Sequence, residues 1–247
     1  MQQHDVSRVL VIAAHPDDIE FGAAGTVATW TRAGIDVAYC IVTDGSAGSN
    51  DPGVSSSHLA EIRRQEQIEA AACVGVSDVR FLDYQDGVLQ PTIELRRDLT
   101  RLIRELRPQR VVISDPTTVL VSGDGFHYIN HPDHRAAAEA ALYAIFPSAE
   151  SRPIFPELLA EGLEPHHVNE VWMTLTNQPD VFVDITDVHE IKLNALLCHR
   201  SQIDQQAARF VREADRRAGE QISVQYAEPF RVMTFYPEQP AESSMPS

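Results

Sequence analysis

Residues 8–14 read RVLVIAA and lead directly into HPDD at 15–18. The first run is short, apolar and rich in β-branched residues, which is typical of a strand buried on both faces of a parallel sheet. The segment 21–33 that follows has helical composition, and Gly34 suits the left-handed residue that often ends a helix. This stretch therefore predicts a strand, a polar turn and a helix, the opening unit of an alternating α/β fold.

Strand-like and helix-like segments continue to alternate along the chain. The further strands are predicted at 36–43, 78–82, 110–114, 171–176, 181–185 and 230–235, and the further helices at 58–74, 92–106, 132–146, 188–199 and 203–218. The alternation predicts a Rossmann-like α/β fold, in which a mostly parallel sheet carries helices on both faces in three layers. No repeat or linker interrupts it, so we expect one domain over residues 1–247, with loose termini at 1–7 and 237–247.

Charge and composition restrict the partners. The 247 residues include 20 basic and 36 acidic side chains, a net charge of −16, which argues against a nucleic-acid or anionic-membrane partner. No apolar run approaches the roughly 20 residues of a membrane span, and the first residues do not resemble a signal peptide. The three cysteines have neither metal-ligand nor redox spacing, so we expect them to be reduced, free thiols. We expect a cytoplasmic protein that acts on a small molecule, and a homo-oligomer is compatible with these features.

Two polar clusters are expected to meet at one place in this fold. The first and fourth strands of a doubly wound sheet commonly lie side by side, and ligands bind beyond their carboxyl ends. The cluster at 15–18 follows the first strand. The fourth strand is followed by a loop of 17 residues, 115–131, that leads into HPDH at 131–134. A loop of this length in a compact domain is a functional candidate.

The spacing of the polar residues within these clusters suits a metal ion. His15 and Asp18 are three residues apart, as are His131 and His134, and each pair lies near a predicted helix start, where both side chains can face one point. Three of these four groups would provide two imidazoles and a carboxylate and leave one position open for water, as a catalytic zinc requires. Such an ion lowers the pKa of its water to about 7. Asp17 then suits a general base, and the remaining histidine an oxyanion donor or an acid.

Simpler interpretations exist for single residues. Acidic residues and histidines are common at helix starts, but two such clusters are not expected to meet at the crevice by accident. Arg63 lies among glutamates at helical spacing, which favours intrahelical ion pairs. His199 ends a predicted helix, where a cation complements the dipole. Tyr128 lies in the long loop, where a pocket-lining position and an exposed one fit the pattern equally well.

The two clusters resemble the paired motifs of the PIG-L, or LmbE-like, zinc-dependent N-deacetylases. The resemblance rests on AHPDD at 14–18 with GAAGT at 22–26, and on HPDHRA at 131–136. It extends through TDG at 43–45, residues 63–66 and DG at 86–87, covers 8–146 well, and returns at ALLCHRSQ, 195–202. The family's usual glutamate after the paired acids is Ile19 here, with Glu20 one place later, and we assign no metal or base role to that position.

The resemblance implies a metal site and its chemistry. The implied ligands are His15, Asp18 and His134, and the implied metal is Zn²⁺, although Fe²⁺ suits the same set. The implied general base for the metal-bound water is Asp17. His131 is implied to stabilise the oxyanion or to act as the acid.

Further residues are implied to support the reaction. Asp133 could orient His131, and Arg63 matches a substrate-contacting arginine. His199 is a weaker match, as a second polar contact in the pocket, and Tyr128 completes the predicted substrate-binding residues.

These roles predict hydrolysis of a linear amide, above all the removal of an N-acetyl group from an amino-sugar-containing small molecule. Three alternatives stay open. An amidase could cleave a sugar-thiol conjugate, because specificity lies in loops 45–57 and 123–130. Two histidines and a carboxylate also form the facial triad of non-haem iron oxygenases. A non-catalytic sugar- or nucleotide-binding module is the third, although residues 15–25 lack a G-x-G-x-x-G fingerprint.

Overall fold

The computed structural model of the chain describes residues 6–123 and 126–235. The predicted tail at 237–247 and residues 1–5 lie outside the described residues. Ser7, predicted to lie in a loose terminus, is held in place instead: its carbonyl accepts the N–H of Asp36 at 2.9 Å, and its own N–H donates to Gln109 at 3.3 Å. The prediction of a single domain over residues 1–247 stays a prediction.

A seven-stranded sheet forms the centre of the described chain. The strands in chain order are β1 (Arg8–Ala13), β2 (Asp36–Thr43), β3 (Asp78–Tyr84), β4 (Arg110–Ser114), β5 (Leu120–Gly123), β6 (Phe126–Ile129), β7 (Glu170–Thr174), β8 (Val181–Asp184) and β9 (Ala227–Thr234). The sheet order is β3-β2-β1-β4-β7-β9-β8, and β9 runs antiparallel to both of its neighbours. The strands β3, β2, β1, β4 and β7 run parallel to one another, which confirms the predicted mostly parallel sheet.

Helices cover both faces of this sheet. They are α1 (Asp18–Gly22), α2 (Ala24–Arg32), α3 (Ser56–Cys73), α4 (Ile93–Leu106), α5 (Pro132–Tyr143), α6 (Pro156–Ala160), α7 (His189–Leu196) and α8 (Gln205–Glu220). Alternate residues of β1 enter two different cores, because successive strand side chains point to opposite faces. Leu10 packs in the core that includes α4 and α5, whereas Val9 packs in the core that includes α2 and α3. The predicted three-layer arrangement is confirmed, and none of the helices in the described residues is long and apolar enough to cross a membrane.

Several details differ from the predictions. The segment predicted as one helix over 21–33 forms two helices, α1 and α2, with a break at Ala23. The carboxylate of Glu228 accepts the N–H groups of Gly25 and Thr26 at 3.0 and 2.7 Å, and these bonds fix the start of α2. The loop predicted over 115–131 contains the hairpin of β5 and β6, and the last strand begins earlier, at Ala227. Cys73 and Cys198, far apart in the sequence, have their sulfur atoms 3.7 Å apart.

The predicted adjacency of the first and fourth strands is confirmed. β1 pairs in parallel with β4, in the register Val9 to Arg110 and Val11 to Val112. Parallel strands have their carboxyl ends at the same edge of a sheet. Residues 15–18 and the chain leading into α5 therefore leave the sheet side by side.

A buried charge network joins four elements behind this edge. Lys192 is fully buried on α7, and its Nζ lies 2.8 Å from Asp215 on α8 and 2.9 Å from Glu228 on β9. Glu228 in turn starts α2, as described above. The single cation of Lys192 therefore compensates two carboxylates that have almost no access to water.

Replacement of this lysine tests its role in stability. In Lys192→Ala, Asp215 and Glu228 lose their shared cation, so we expect the free energy of unfolding to fall by about 3–5 kcal/mol. Urea denaturation followed by circular dichroism measures the change. The control is Arg216→Ala, which removes an exposed ion pair with Glu213 and should leave the free energy nearly unchanged. A lysine variant as stable as this control would contradict the prediction.

Candidate functional site

The cluster after β1 is shaped by a tight turn into α1. Asp17 is the N-cap residue of α1 and has a left-handed backbone, with φ at 99°, and Asp18 is the first residue of the helix. One carboxylate oxygen of Asp18 accepts the N–H of His15 at 2.9 Å. This turn places the side chains of His15, Asp17 and Asp18 at the carboxyl end of β1.

The second cluster is shaped by the start of α5. Pro132 occupies the first helical position, which suits its fixed φ and missing N–H. His131 is the N-cap residue, and its Nδ1 accepts the N–H of Asp133 at 3.2 Å. His134 lies one turn further on and points toward the first cluster.

The structure brings His15, Asp18 and His134 together as a candidate metal triad. One ligand atom from each lies within 4.8 Å of the other two. Nε2 of His134 lies 3.0 Å from one oxygen of Asp18, and Nδ1 of His15 lies 3.5 Å from the other. Two imidazoles and a carboxylate that converge in this way are the ligand set of a catalytic zinc or ferrous site.

The tautomer of His134 fits a metal ligand. Its Nδ1 lies 2.9 Å from Oδ1 of Asn130, and the amide group of Asn130 is oriented by its own donation to the carbonyl of Thr118 at 2.8 Å. Because an amide oxygen only accepts, Nδ1 of His134 carries the proton. The lone pair is therefore on Nε2, the atom that faces Asp18. A second partner that fixes the ring in this way is usual for metal-bound histidines.

The hydrogen-bond partners of His15 also direct one of its ring nitrogens toward the candidate metal site. Its Nε2 lies 3.0 Å from Asp86 and 3.4 Å from Asp133, so this nitrogen donates and Nδ1 is left to face Asp18. Burial disfavours the charged imidazole, but the carboxylates of Asp18, Asp133 and Asp86 outweigh it and raise the pKa of His15 to about 12. Without a metal ion the ring therefore carries a second proton, on Nδ1, which a bound cation would replace. So many carboxylates around one site produce a negative potential that a divalent cation would neutralise.

A second grouping, His15 with His131 and Asp133, has ligand atoms equally close to one another. Its polar atoms already have partners. The carboxylate of Asp133 accepts the N–H groups of Gly87 and Leu89 at 2.7 and 3.1 Å, and Nδ1 of His131 caps α5. The first triad is therefore the better candidate for a metal.

His131 is suited to donate a hydrogen bond into the site. Because its Nδ1 accepts the N–H of Asp133, its Nε2 carries the proton in the neutral ring. Burial and the neighbouring imidazoles of His15 and His134 lower the pKa of His131. Asp133 was predicted to orient His131. Its carboxylate lies 4.0 Å from Nδ1 of His131, whereas its backbone N–H donates to that nitrogen, so the contact that orients the ring comes from the backbone.

Asp17 is a partly buried carboxyl group beside the triad. Burial raises the pKa of Asp17 to about 6, with the adjacent charge of Asp18 in support and that of Arg63 in opposition. Its Oδ2 lies 3.2 Å from Arg63, which is the closest cation. Its position beside the triad suits a general base for a water in this site.

The three predicted substrate-binding residues have different surroundings. Tyr128 lies on β6 and lines the cavity of the site. Arg63 also lines it, but its terminal nitrogens donate to the carbonyls of Pro16 and Gly45 at 2.7 and 2.9 Å. His199 is fully buried, with Nε2 3.0 Å from Glu20, and is not among the described residues that line the cavity. The structure therefore does not bring His199 to the substrate pocket.

The cavity above these residues has a volume of about 560 Å³. Its floor is polar, and its apolar walls are formed by Phe21, Val121, Leu175 and Phe210. Three residues without a predicted role each bond to a predicted site residue: Asp86, Asn130 and Gln67. The only sequence signal among them is the Asp86-Gly87 pair, which belongs to the resemblance and carries no indication of its partner.

The fold and the site define an α/β protein with a candidate metal centre at the switch point of a mostly parallel sheet. The chain belongs to the PIG-L family, described as GlcNAc-PI de-N-acetylase, whose family model matches residues 10–145. This confirms the resemblance found in the sequence.

Individual relatives agree with this assignment. The chain is 40% identical over 201 residues to the diacetylchitobiose deacetylase of Thermococcus kodakarensis, which covers 81% of this chain and 71% of that protein. It is 31% identical to a probable N-acetyl-alpha-D-glucosaminyl L-malate deacetylase 2 of Bacillus subtilis, over 83% of this chain and 85% of that protein. The structure of the N,N'-diacetylchitobiose deacetylase from Pyrococcus horikoshii, complexed with an inhibitor, superposes with a TM-score of 0.86 at 34% identity, over 98% of this chain and 90% of that chain.

The partner of His134 gives a testable prediction. In Asn130→Ala, Nδ1 of His134 loses its acceptor and the ring loses its fixed tautomer, so we expect the affinity for Zn²⁺ to fall about 10–100-fold. Titration of the metal-free protein with Zn²⁺ in a calorimeter measures this. His134→Ala should lose this binding altogether. The control is His58→Ala, an exposed histidine of α3, which should bind as the wild type does. Unchanged affinity in the Asn130 variant would rule out this contact as a support for the metal.

Proposed function

We propose that this protein is a metal-dependent hydrolase that removes an N-acetyl group from an amino-sugar-containing small molecule. The observation that carries the proposal is the convergence of two imidazoles and a carboxylate in one cavity, with the carboxyl group of Asp17 beside them. The relatives named above are deacetylases of N-acetylated sugars, which supports the same reaction. A cytoplasmic location and a homo-oligomeric state stay predictions.

The residues of the candidate metal triad fit a divalent cation, and Zn²⁺ is the metal we propose, with Fe²⁺ as the alternative. Such a cation, when bound, supplies Lewis acidity toward water and the acyl carbonyl. His15, Asp18 and His134 would hold it. Asp86, Asp133 and Asn130 would hold the two imidazoles in the correct tautomer.

The other residues move protons and stabilise charge. Asp17 takes a proton from the water whose oxygen attacks the acyl carbon. Nε2–H of His131 donates to the oxygen of that carbonyl as negative charge develops on it. The C–N bond then breaks, and the nitrogen leaves as an amine after receiving the proton held by Asp17. The acyl group leaves as acetic acid, which releases the second proton of the water to the solvent and becomes acetate. The same steps would cleave a larger acyl group of a sugar-thiol conjugate, but the similarity to deacetylases favours an acetyl group.

Replacement of the proposed base is the direct test. Asp17→Asn keeps the shape of the side chain but cannot accept the proton, so we expect kcat for acetate release from N,N'-diacetylchitobiose to fall about 10²–10⁴-fold. Zn²⁺ content, measured by atomic emission, should stay at the wild-type value. Asp51→Asn, in the exposed loop before α3, is the control and should keep its activity. Near-native turnover in the Asp17 variant would show that another group is the base.

Removal of the metal tests the cofactor. A chelator should abolish acetate release in the wild type, because the triad then has no Lewis acid to hold. Added Zn²⁺ or Fe²⁺ should restore it, and the more effective ion identifies the metal. His134→Ala should show no restoration with either ion. Activity that survives complete removal of bound metal would exclude the proposed mechanism.

A further inference from the structure

The backbone of Asp17 is held in an unfavourable conformation. Its φ of 99° lies in the left-handed region, which a residue with a side chain adopts at a cost and keeps only where its surroundings demand it. This conformation turns the chain sharply between β1 and α1. It also determines where the Asp17 carboxylate points, so the contacts that hold this backbone have a direct bearing on the site.

One contact to this backbone comes from a side chain of α3. The N–H of Asp17 donates to Oε1 of Gln67 at 3.0 Å. Gln67 is fully buried and does not line the cavity. Gln67 therefore contacts the turn from a side that does not face the cavity.

A second buried residue determines which way the Gln67 amide faces. Nε2 of Gln67 donates to Oε1 of Glu20 at 3.1 Å. An ionised carboxylate only accepts, so Glu20 can bond to the NH₂ end of the amide and not to its oxygen. A reversed amide would place two donors, Nε2 of Gln67 and N–H of Asp17, against each other.

The remaining oxygen of Glu20 has its own partner. Oε2 lies 3.0 Å from Nε2 of His199, and both side chains are fully buried. His199 follows α7, whereas Glu20 lies on α1 and Gln67 on α3. The four residues His199, Glu20, Gln67 and Asp17 thus form one chain of hydrogen bonds, the Asp17 relay, which connects three separate elements.

We infer that Glu20 and Gln67 are positioning residues that hold the backbone of Asp17 so that its carboxylate faces the metal triad. The inference rests on the proposed function, in which Asp17 is the base. Arg63 holds the carboxylate of Asp17 itself, whereas the relay holds the peptide behind it, so the two supports are distinct. Because neither Glu20 nor Gln67 lines the cavity, loss of the relay lowers kcat and leaves KM unchanged.

A pair of substitutions tests the direction of the hydrogen bonds. In Gln67→Glu, two carboxylates face each other where the amide met Glu20, and we expect kcat to fall by about 10–100-fold, with KM within about twofold of wild type. In the double variant Glu20→Gln with Gln67→Glu, the new amide at position 20 donates to the new carboxylate at position 67 and accepts from His199. Every contact of the relay is restored, so kcat should recover by about fivefold or more over the single variant.

A residue that only fills space would behave differently. If Gln67 only fills space, kcat of the double variant will be no higher than kcat of Gln67→Glu, and that result would overturn the inference. Gln65→Glu is the matched control, because Gln65 lies on the same helix but is exposed and bonds only to Glu69 among the described contacts. It should keep kcat within about twofold of wild type, as exposed pairs contribute little.

A measurement without substrate separates this inference from the proposed function. Hydrogen exchange of the Asp17 amide, resolved to the single residue, should be about tenfold faster or more in Gln67→Leu than in wild type. The control Gln65→Leu should leave it unchanged. Equal exchange in the Gln67 variant would overturn the relay even if the enzyme is an active deacetylase. Fast exchange in that variant, with no acetate release by the wild type, would retain the relay and reject the proposed function.

Discussion

The parallel pairing of β1 with β4 is the constraint on which the rest of the site depends. Its register places Val11 beside Val112, so the two strands end at the same edge of the sheet. Two peptide segments more than a hundred residues apart then leave the sheet side by side. This pairing brings the two motifs to the same region, where the imidazole rings of His15 and His134 have centroids 5.1 Å apart. A change in the order of the strands would leave each motif intact and separate the halves of the site.

Electrostatics determine what the paired segments can hold. Asp18, Asp86 and Asp133 all lie within 3.5 Å of His15, and without a cation this concentration of carboxylates would be costly to bury. Each carboxylate is arranged by hydrogen bonds from the backbone, such as those from Gly87 to Asp133 and from Ala47 to Asp86. The fold therefore holds these carboxylates close together, at a cost in stability, in the absence of a ligand. A divalent cation binds tightly to a site that is negative and fixed in this way.

The strands and the paired motifs were predictable because their signals are local. The bounds of β2 and β4 agree with the predicted 36–43 and 110–114, since buried parallel strands are continuous apolar runs between polar turns. The break at Ala23 was not predictable, because Glu228, from the last strand, causes it. The hairpin of β5 and β6 was also missed, as its strands have four residues each and lie in a segment that resembles a loop.

Two residues of the Asp17 relay share one property with Glu228: each acts through a contact that is distant in sequence. Gln67 contacts Asp17 across 50 residues, and His199 contacts Glu20 across 179. In the sequence they are a polar residue on a helix and a histidine at a helix end, which common structural roles explain. A motif identifies the groups that react, because reactive groups must be of particular types. The groups that orient them need only offer a donor or an acceptor at the right point, and many residue types satisfy that requirement, so only the folded chain reveals which residue does.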